Sequence, residues 1–183
     1  MTELLEVPEI RRQAFAGPVE AYHRLTEGLR TELLRGTIIE KMSKSPRHYS
    51  FVDNFRDILT GQIKPGWVLR QEGPLTFADS EPEPDLCVVR GKKADFTSHH
   101  PSAAEWVIEI AVSSLEIDRV KAHIYAEAGV REYWIVCPEK KQVEVYRGPG
   151  AEGYAECTVV ASPAVLGCAA LPGVAVDLAA LFA

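Results

Sequence analysis

Glu109 lies in the run EWVIEIAVSS, residues 105–114, where its neighbours Ile108 and Ile110 favour a buried strand. A carboxylate in that setting is costly unless it is protonated, paired with a base or bound to a cation. Strand alternation puts Val107, Glu109 and Ala111 on one face, and Trp106, Ile108, Ile110 and Val112 on the other. Both faces are largely apolar, as in a sheet covered on both sides. A second acid, Asp85, follows two X-Pro steps in EPEPDLCVV, opens another apolar run, and shares a face with Cys87 and Val89. If the two runs are neighbouring strands, the carboxylates converge and repel, and a divalent cation relieves the repulsion. Mg2+ is typically held by one or two carboxylates with waters and substrate phosphates. A basic group comes from SLEIDRVKAHIYAEAGV. At helical period Ile117, Val120, Ile124, Tyr125 and Ala128 form an apolar stripe; Lys121 falls inside it and Asp118 on its edge. Two acids and a lysine aimed at one region suit phosphodiester hydrolysis with Mg2+ or Mn2+: the cation activates water, and the lysine orients it or helps to deprotonate it. Two other readings stay open at this point. Glu109 and Lys121 can form a structural ion pair, and Asp85 can cap a turn after Pro84.

The elements that must position these groups read as a mixed α/β (α+β) chain. A length of 183 residues, 46% of them hydrophobic, fits a single domain over 1–183 with its own core. Residues 1–16 read as an N-terminal arm. A helix is predicted from Pro18 to Arg30, a hairpin around Arg35–Gly36, and a second helix from Pro46 to Thr60, where Val52, Phe55 and Leu59 have helical spacing and Gly61 is a stop. From Trp67 on, WVLRQE, DLCVVR, EWVIEIAV, EYWIVC and QVEVYR read as strands. The helix between the third and fourth, with Gly129 just past its end, predicts a crossover joining parallel strands. The stretch from YAECTVV to the C-terminus reads as more strand and a short tail. The whole is a central mixed sheet flanked by helices.

Composition narrows the class. No apolar run approaches the roughly 20 residues needed to span a bilayer, and the N-terminus lacks a signal-peptide core, so no membrane role and a cytoplasmic location are expected. Cys87, Cys137, Cys157 and Cys168 form no CxxC pair; Cys87 and Cys137 read as reduced core thiols. A net charge of −6 argues against nonspecific nucleic-acid binding, and the basic residues of EKMSKSPRH and of RGKK at 90–93 read as solvated loop charge. His99 and His100 fall in a loop, Trp106, Tyr133 and Trp134 in the core, and Ser113–Ser114 at the N-cap of the crossover helix.

On Pro84-Asp85, Glu109, Lys121 and the run to Val136, the sequence resembles the Uma-type restriction endonuclease family of the PD-(D/E)XK nuclease superfamily. The resemblance runs from TELLRGTIIEKM through VEVYRGP to the tail. It implies a restriction-endonuclease-like fold and a metal-dependent nuclease, most readily a DNA endonuclease acting as a homodimer. It implies Asp85 and Glu109 as metal ligands, the Ile110 carbonyl as a further ligand, and Lys121 as the catalytic lysine. The superfamily motif puts its lysine two residues after the acid, where this chain has Ala111. Position 111 faces the same way as Glu109, so a lysine on the following helix can serve the same spot. Glu32, Glu40, His48 and Asp118 are auxiliary candidates. A rival reading is a catalytically degenerate nuclease-fold module that binds nucleic acid or a protein partner. Glycoside hydrolysis also uses paired acids, but the inward lysine fits it poorly.

Overall fold

A computed structural model describes residues 12–41 and 43–183. In chain order the elements are β1 (Arg12–Ala14), α1 (Val19–Leu25), β2 (Thr31–Leu34), β3 (Thr37–Glu40), α2 (Pro46–Thr60), β4 (Trp67–Gln71), β5 (Leu86–Arg90), β6 (Trp106–Ile110), α3 (Leu115–Glu127), β7 (Glu132–Cys137), β8 (Gln142–Gly150), β9 (Gly153–Ala161), β10 (Val165–Gly167), β11 (Ala175–Asp177) and α4 (Leu178–Leu181). The six-stranded central sheet has the order β4-β5-β6-β7-β8-β9. All its pairs are antiparallel except β6 with β7, which α3 joins in parallel.

Local chemistry explains the elements next to the site. The β2–β3 turn takes two left-handed residues, Arg35 (φ 48) and Gly36 (φ 67), as a tight two-residue hairpin with the right twist requires. Helix α2 starts where the Ser45 side chain accepts from the His48 backbone N–H and Pro46 occupies the first turn; its Val52, Phe55 and Leu59 are fully buried.

The sheet is apolar on both faces. Trp106, Ile108 and Ile110 pack with Val52, Phe55 and Leu59 of α2 and with the C-terminal segment, including Leu178 and Leu181. On the other side Cys87, Val89, Val107 and Ala111 pack with Ala122 and Tyr125 of α3. The hairpin then closes over α3, with Leu34 and Ile39 against Ile124. Helix α3 is therefore held between two sheets, and its interior face is wider than a single stripe.

Several expectations need correction. The first helix ends at Leu25, not Arg30, because the Thr26 hydroxyl donates back to the Tyr22 carbonyl and Gly28 turns left-handed (φ 77). Of the expected arm, residues 1–11 lie outside the described residues, while 12–14 pair with β3 as a strand. Asp85 stands just ahead of β5 rather than inside it. The C-terminal tail ends in a short helix capped by Asp177, whose carboxylate accepts from Ala179 and Ala180. Asp118 is fully internal, not on an edge. Cys87, Cys137 and Cys168 are buried and Cys157 is exposed, all as free thiols. Burial pushes the Cys87 thiol up to about 12 and the Cys137 thiol up to about 11, so neither is a nucleophile at neutral pH. Among the described residues no helix is long and apolar enough to cross a membrane.

Glu132 at the start of β7 ties the far half of the sheet together. It is fully buried and accepts from Trp134 Nε1 (2.8 Å), Arg147 Nη2 (2.8 Å) and the Ala170 backbone N–H (2.9 Å). Removing it strands a buried indole N–H and a backbone N–H. Glu132→Ala is expected to lose about 3–5 kcal/mol in urea denaturation; a loss below about 1 kcal/mol would show that water satisfies these donors instead.

Candidate functional site

The β5–β6 register pairs Leu86 with Ile108, so one step further Asp85 stands across from Glu109. The two acids clamp each other's backbones. The Asp85 N–H donates to Glu109 Oε2 at 3.2 Å, and the Ile110 N–H donates to Asp85 Oδ2 at 2.7 Å. Glu109 Oε1 accepts from Lys121 Nζ at 3.1 Å and from the Tyr125 hydroxyl at 3.0 Å. Both donors come from α3, one turn apart, so the crossover helix aims them at one oxygen. Lys121 Nζ also reaches Glu32 of β2 at 3.1 Å and lies 4.0 Å from Asp118. Asp85 Oδ1 lies 3.0 Å from His48 Nε2 and accepts from Lys44 Nζ at 2.6 Å; Lys44 in turn donates to Glu72 at 2.8 Å. The Ile110 carbonyl accepts from the Val112 N–H at 3.1 Å; a carbonyl oxygen has two lone pairs. Of these groups Glu32, Lys44, His48, Asp85, Glu109, Asp118 and Lys121 line a cleft of ≈ 290 Å³ between the end of β3 and the starts of α2 and α3.

Burial decides the electrostatics. Glu32, Asp85, Glu109 and Asp118 are each 2–5% exposed, and the ammonium groups in contact with them are those of Lys44 and Lys121. For Asp85, burial would raise the pKa, but the His48 hydrogen bond and the Lys44 charge outweigh it and hold the carboxyl down at about 2. For Glu109, burial dominates; Lys121 offsets part of it while Asp85 and Glu32 push further upward, and the net shift is up. Asp118 is raised well above the usual aspartate range, first by burial and then by the Glu109 charge. Burial alone would lower Lys121, yet Glu109, Glu32 and Asp118 together keep it well above an ordinary lysine. Lys121 is thus a permanent ammonium here.

A divalent cation fits this donor set. Asp85 and Glu109 offer hard oxygens, each already carries a cationic nitrogen as stand-in, and the cluster holds more buried carboxylates than ammonium groups. Among the described residues no three His, Cys, Asp or Glu side chains form a self-contained cage.

The structure brings Asp85, Glu109, Lys121, Glu32, His48 and Asp118 together. Glu32 and His48 are buried components, not surface residues, and Glu40 stays exposed at the rim of the cleft. Ser114 stands at the N-cap of α3, but its hydroxyl donates to Asp118 at 2.6 Å and caps no backbone N–H. Three contributors escaped the sequence reading: Lys44, Glu72 and Tyr125. Tyr125 was assigned to an apolar stripe without its hydroxyl. Lys44 was grouped with solvated loop charge; its place just before the Ser45 cap, four residues from His48, was the one signal that it borders the site.

The family profile described as "Uma2: Putative restriction endonuclease" matches residues 19–179. Among solved structures, the chain is similar to one described as a putative nuclease belonging to DUF820, from Anabaena variabilis. The two are 20% identical, superpose with a TM-score of 0.74, and are covered over 91% of this chain and 98% of the other. None of the curated proteins compared with the chain matches it. At that identity the likeness establishes the fold, a restriction-endonuclease-like mixed sheet flanked by helices.

Two outcomes follow from the charge balance. Lys121→Met leaves Glu32 and Glu109 without their shared cation and is expected to cost about 3–5 kcal/mol in urea denaturation. Glu109→Gln relieves repulsion and is expected to cost less than about 1 kcal/mol or to stabilise; outright unfolding of this variant would make the ion pair structural. The second outcome concerns pH. A carboxyl whose folded pKa is raised destabilises the fold increasingly as pH rises above its unfolded pKa. Asp118→Asn removes that penalty, so its melting temperature should gain on wild type between about pH 4 and about pH 8. Parallel curves would mean that Asp118 is ionised at little cost.

Proposed function

The chain belongs to the Uma2 family of putative restriction endonucleases, and from that membership and the buried ion cluster we propose that it is a divalent-metal-dependent nuclease that cuts DNA. One observation carries the reading: the Asp85 backbone N–H just ahead of β5 donates to the Glu109 carboxylate of β6 at 3.2 Å, Lys121 of the crossover helix donates to the same carboxylate at 3.1 Å, and all three residues line one cleft.

In this reading Asp85, Glu109 and the Ile110 carbonyl hold Mg2+ or Mn2+. Bound there, the cation supplies Lewis-acid activation of water and neutralises charge at the phosphoryl group. The chain's own groups do the rest. Lys121 donates to the attacking water and to phosphoryl oxygens as negative charge grows; its raised pKa makes it an orienting donor rather than a base. Glu32 and Tyr125 are positioning residues, the first for Lys121 and the second for Glu109. His48 holds Asp85 ionised. Ala111, where the superfamily motif has its lysine, lies on the same sheet face as Ala122 and Tyr125 of α3, and Lys121 from that helix supplies the missing ammonium. Two copies acting together would give the two sites that a double-strand cut needs.

The test pairs binding with turnover. Mn2+ is expected to raise the melting temperature of wild type but not of Asp85→Asn. Metal-dependent plasmid cleavage is expected to fall at least about a hundredfold in Glu109→Gln with its fold intact. Salt-dependent DNA binding with no cleavage under any metal would instead identify a non-catalytic nucleic-acid-binding module.

A further inference from the structure

Lys44 stands on Asp85 Oδ1, the carboxylate oxygen that no backbone N–H engages and that it shares with His48 Nε2 at 3.0 Å. Its ammonium lies 2.6 Å from Asp85 Oδ1, a closer approach than that of Lys121 to either of its acids, and the pair is largely shielded, at 12% and 5% side-chain exposure. The remaining Asp85 oxygen accepts from the Ile110 N–H. Both Asp85 oxygens are thus engaged, one of them by a mobile-type donor on a long flexible stem.

Lys44 also has a second anchor. Glu72 accepts from the same ammonium at 2.8 Å. The β4–β5 register pairs Gln71 with Leu86, so Glu72 falls beside Asp85, and its N–H donates to the Asp85 carbonyl at 3.1 Å. Glu72 holds a left-handed backbone (φ 49), a conformation that disfavours a non-glycine residue. Its carboxylate is 32% exposed, nearer the solvent than Asp85. Lys121 has no such exit: it is 6% exposed and fixed between Glu32 and Glu109.

We propose that Lys44 is a built-in counter-cation that occupies the metal-binding oxygen of Asp85 when no metal is bound and moves onto Glu72 when a divalent cation arrives. This rests on the metal-dependent reading of the site. The ammonium stabilises the empty site by neutralising a buried carboxylate, and by the same contact it lowers apparent metal affinity, since the ion binds only the fraction of molecules in which Asp85 is released. Lys44 is a positioning residue here: it acts through Asp85 and Glu72.

The experiment measures metal binding in the absence of DNA. Mn2+ titrations followed by calorimetry and melting temperature would compare wild type with Lys44→Met. Lys41→Met serves as control: it removes an equal charge from the same cleft, but Lys41 pairs with Glu83 at 3.0 Å. Lys44→Met is expected to tighten Mn2+ binding about tenfold or more, and Lys41→Met no more than about threefold. Equal effects, or none from Lys44→Met, would overturn the proposal while leaving the metal site standing. Absence of any Mn2+ response in all three proteins would overturn the metal site and the proposal with it. A second measurement needs no variant. Acetylation of Lys44 in wild type, read by mass spectrometry, should speed up several-fold when Mn2+ is added, while Lys121 stays protected; an unchanged or slower rate at Lys44 would refute the displacement.

Discussion

Glu32, Asp85, Glu109 and Asp118 share one buried pocket, and that pocket has to be kept electrically tolerable. An isolated buried carboxylate costs several kcal/mol, and a group of them compounds the cost by mutual repulsion. The fold answers in three ways at once. Lys121 is placed where it touches two of the acids, Lys44 and His48 hold a third, and the fourth, Asp118, has its pKa driven up so that it can keep its proton. Each answer is partial, and the cluster keeps more buried acids than ammonium groups.

The division of labour among the acids follows from their surroundings. Asp85 and Glu109 face each other across two strands, yet the first is held ionised and the second is pushed toward its neutral form. The difference lies in what each touches. Both receive a backbone N–H and an ammonium, but Asp85 adds an imidazole, whereas Glu109 adds a neutral tyrosine hydroxyl and is pushed up by burial and then further by the Asp85 and Glu32 charges. Pairs of carboxyls whose pKa values are driven apart are a recurring device of active sites. Here the separation leaves Asp85 as the ionised member of the pair and Glu109 as the one pushed toward its neutral form.

Much of this was legible in the sequence because it depends on short-range periodicity. The alternation along residues 106–112 put Glu109 on the face with Val107 and Ala111, and the structure has those residues in the apolar layer under α3. Helical spacing turned Lys121 inward, and the strand–helix–strand order gave the parallel pair β6–β7. Glu32, His48 and Lys44 were harder because their placement is a tertiary fact. Glu32 lies on a four-residue strand, TELL, that would pass for part of a solvated hairpin; its last three residues are all buried because the hairpin closes over α3. Asp118 looked peripheral because a single stripe was assumed for α3, whereas the helix is covered on two sides. Lys44 sits in a connection whose local pattern carries no direction, and its long stem reaches in from the rim.

The position of Lys121 on a helix rather than on the strand of Glu109 has a structural consequence. A lysine at position 111 would depend on β6 alone, the same strand that carries Glu109. Lys121 instead belongs to α3 and is gripped from two separate sheets, by Glu109 of the central sheet and Glu32 of the hairpin. Its ammonium therefore reaches its place only after hairpin, helix and sheet have docked. The small β1-β3-β2 sheet is in that sense part of the site: without it Lys121 would lose half of its counter-charge, and the desolvation that lowers a buried lysine's pKa would meet less opposition. Placing the ammonium at a junction of three elements couples the ionic contacts of the cleft to completion of the fold, which a lysine two residues along the same strand would not do.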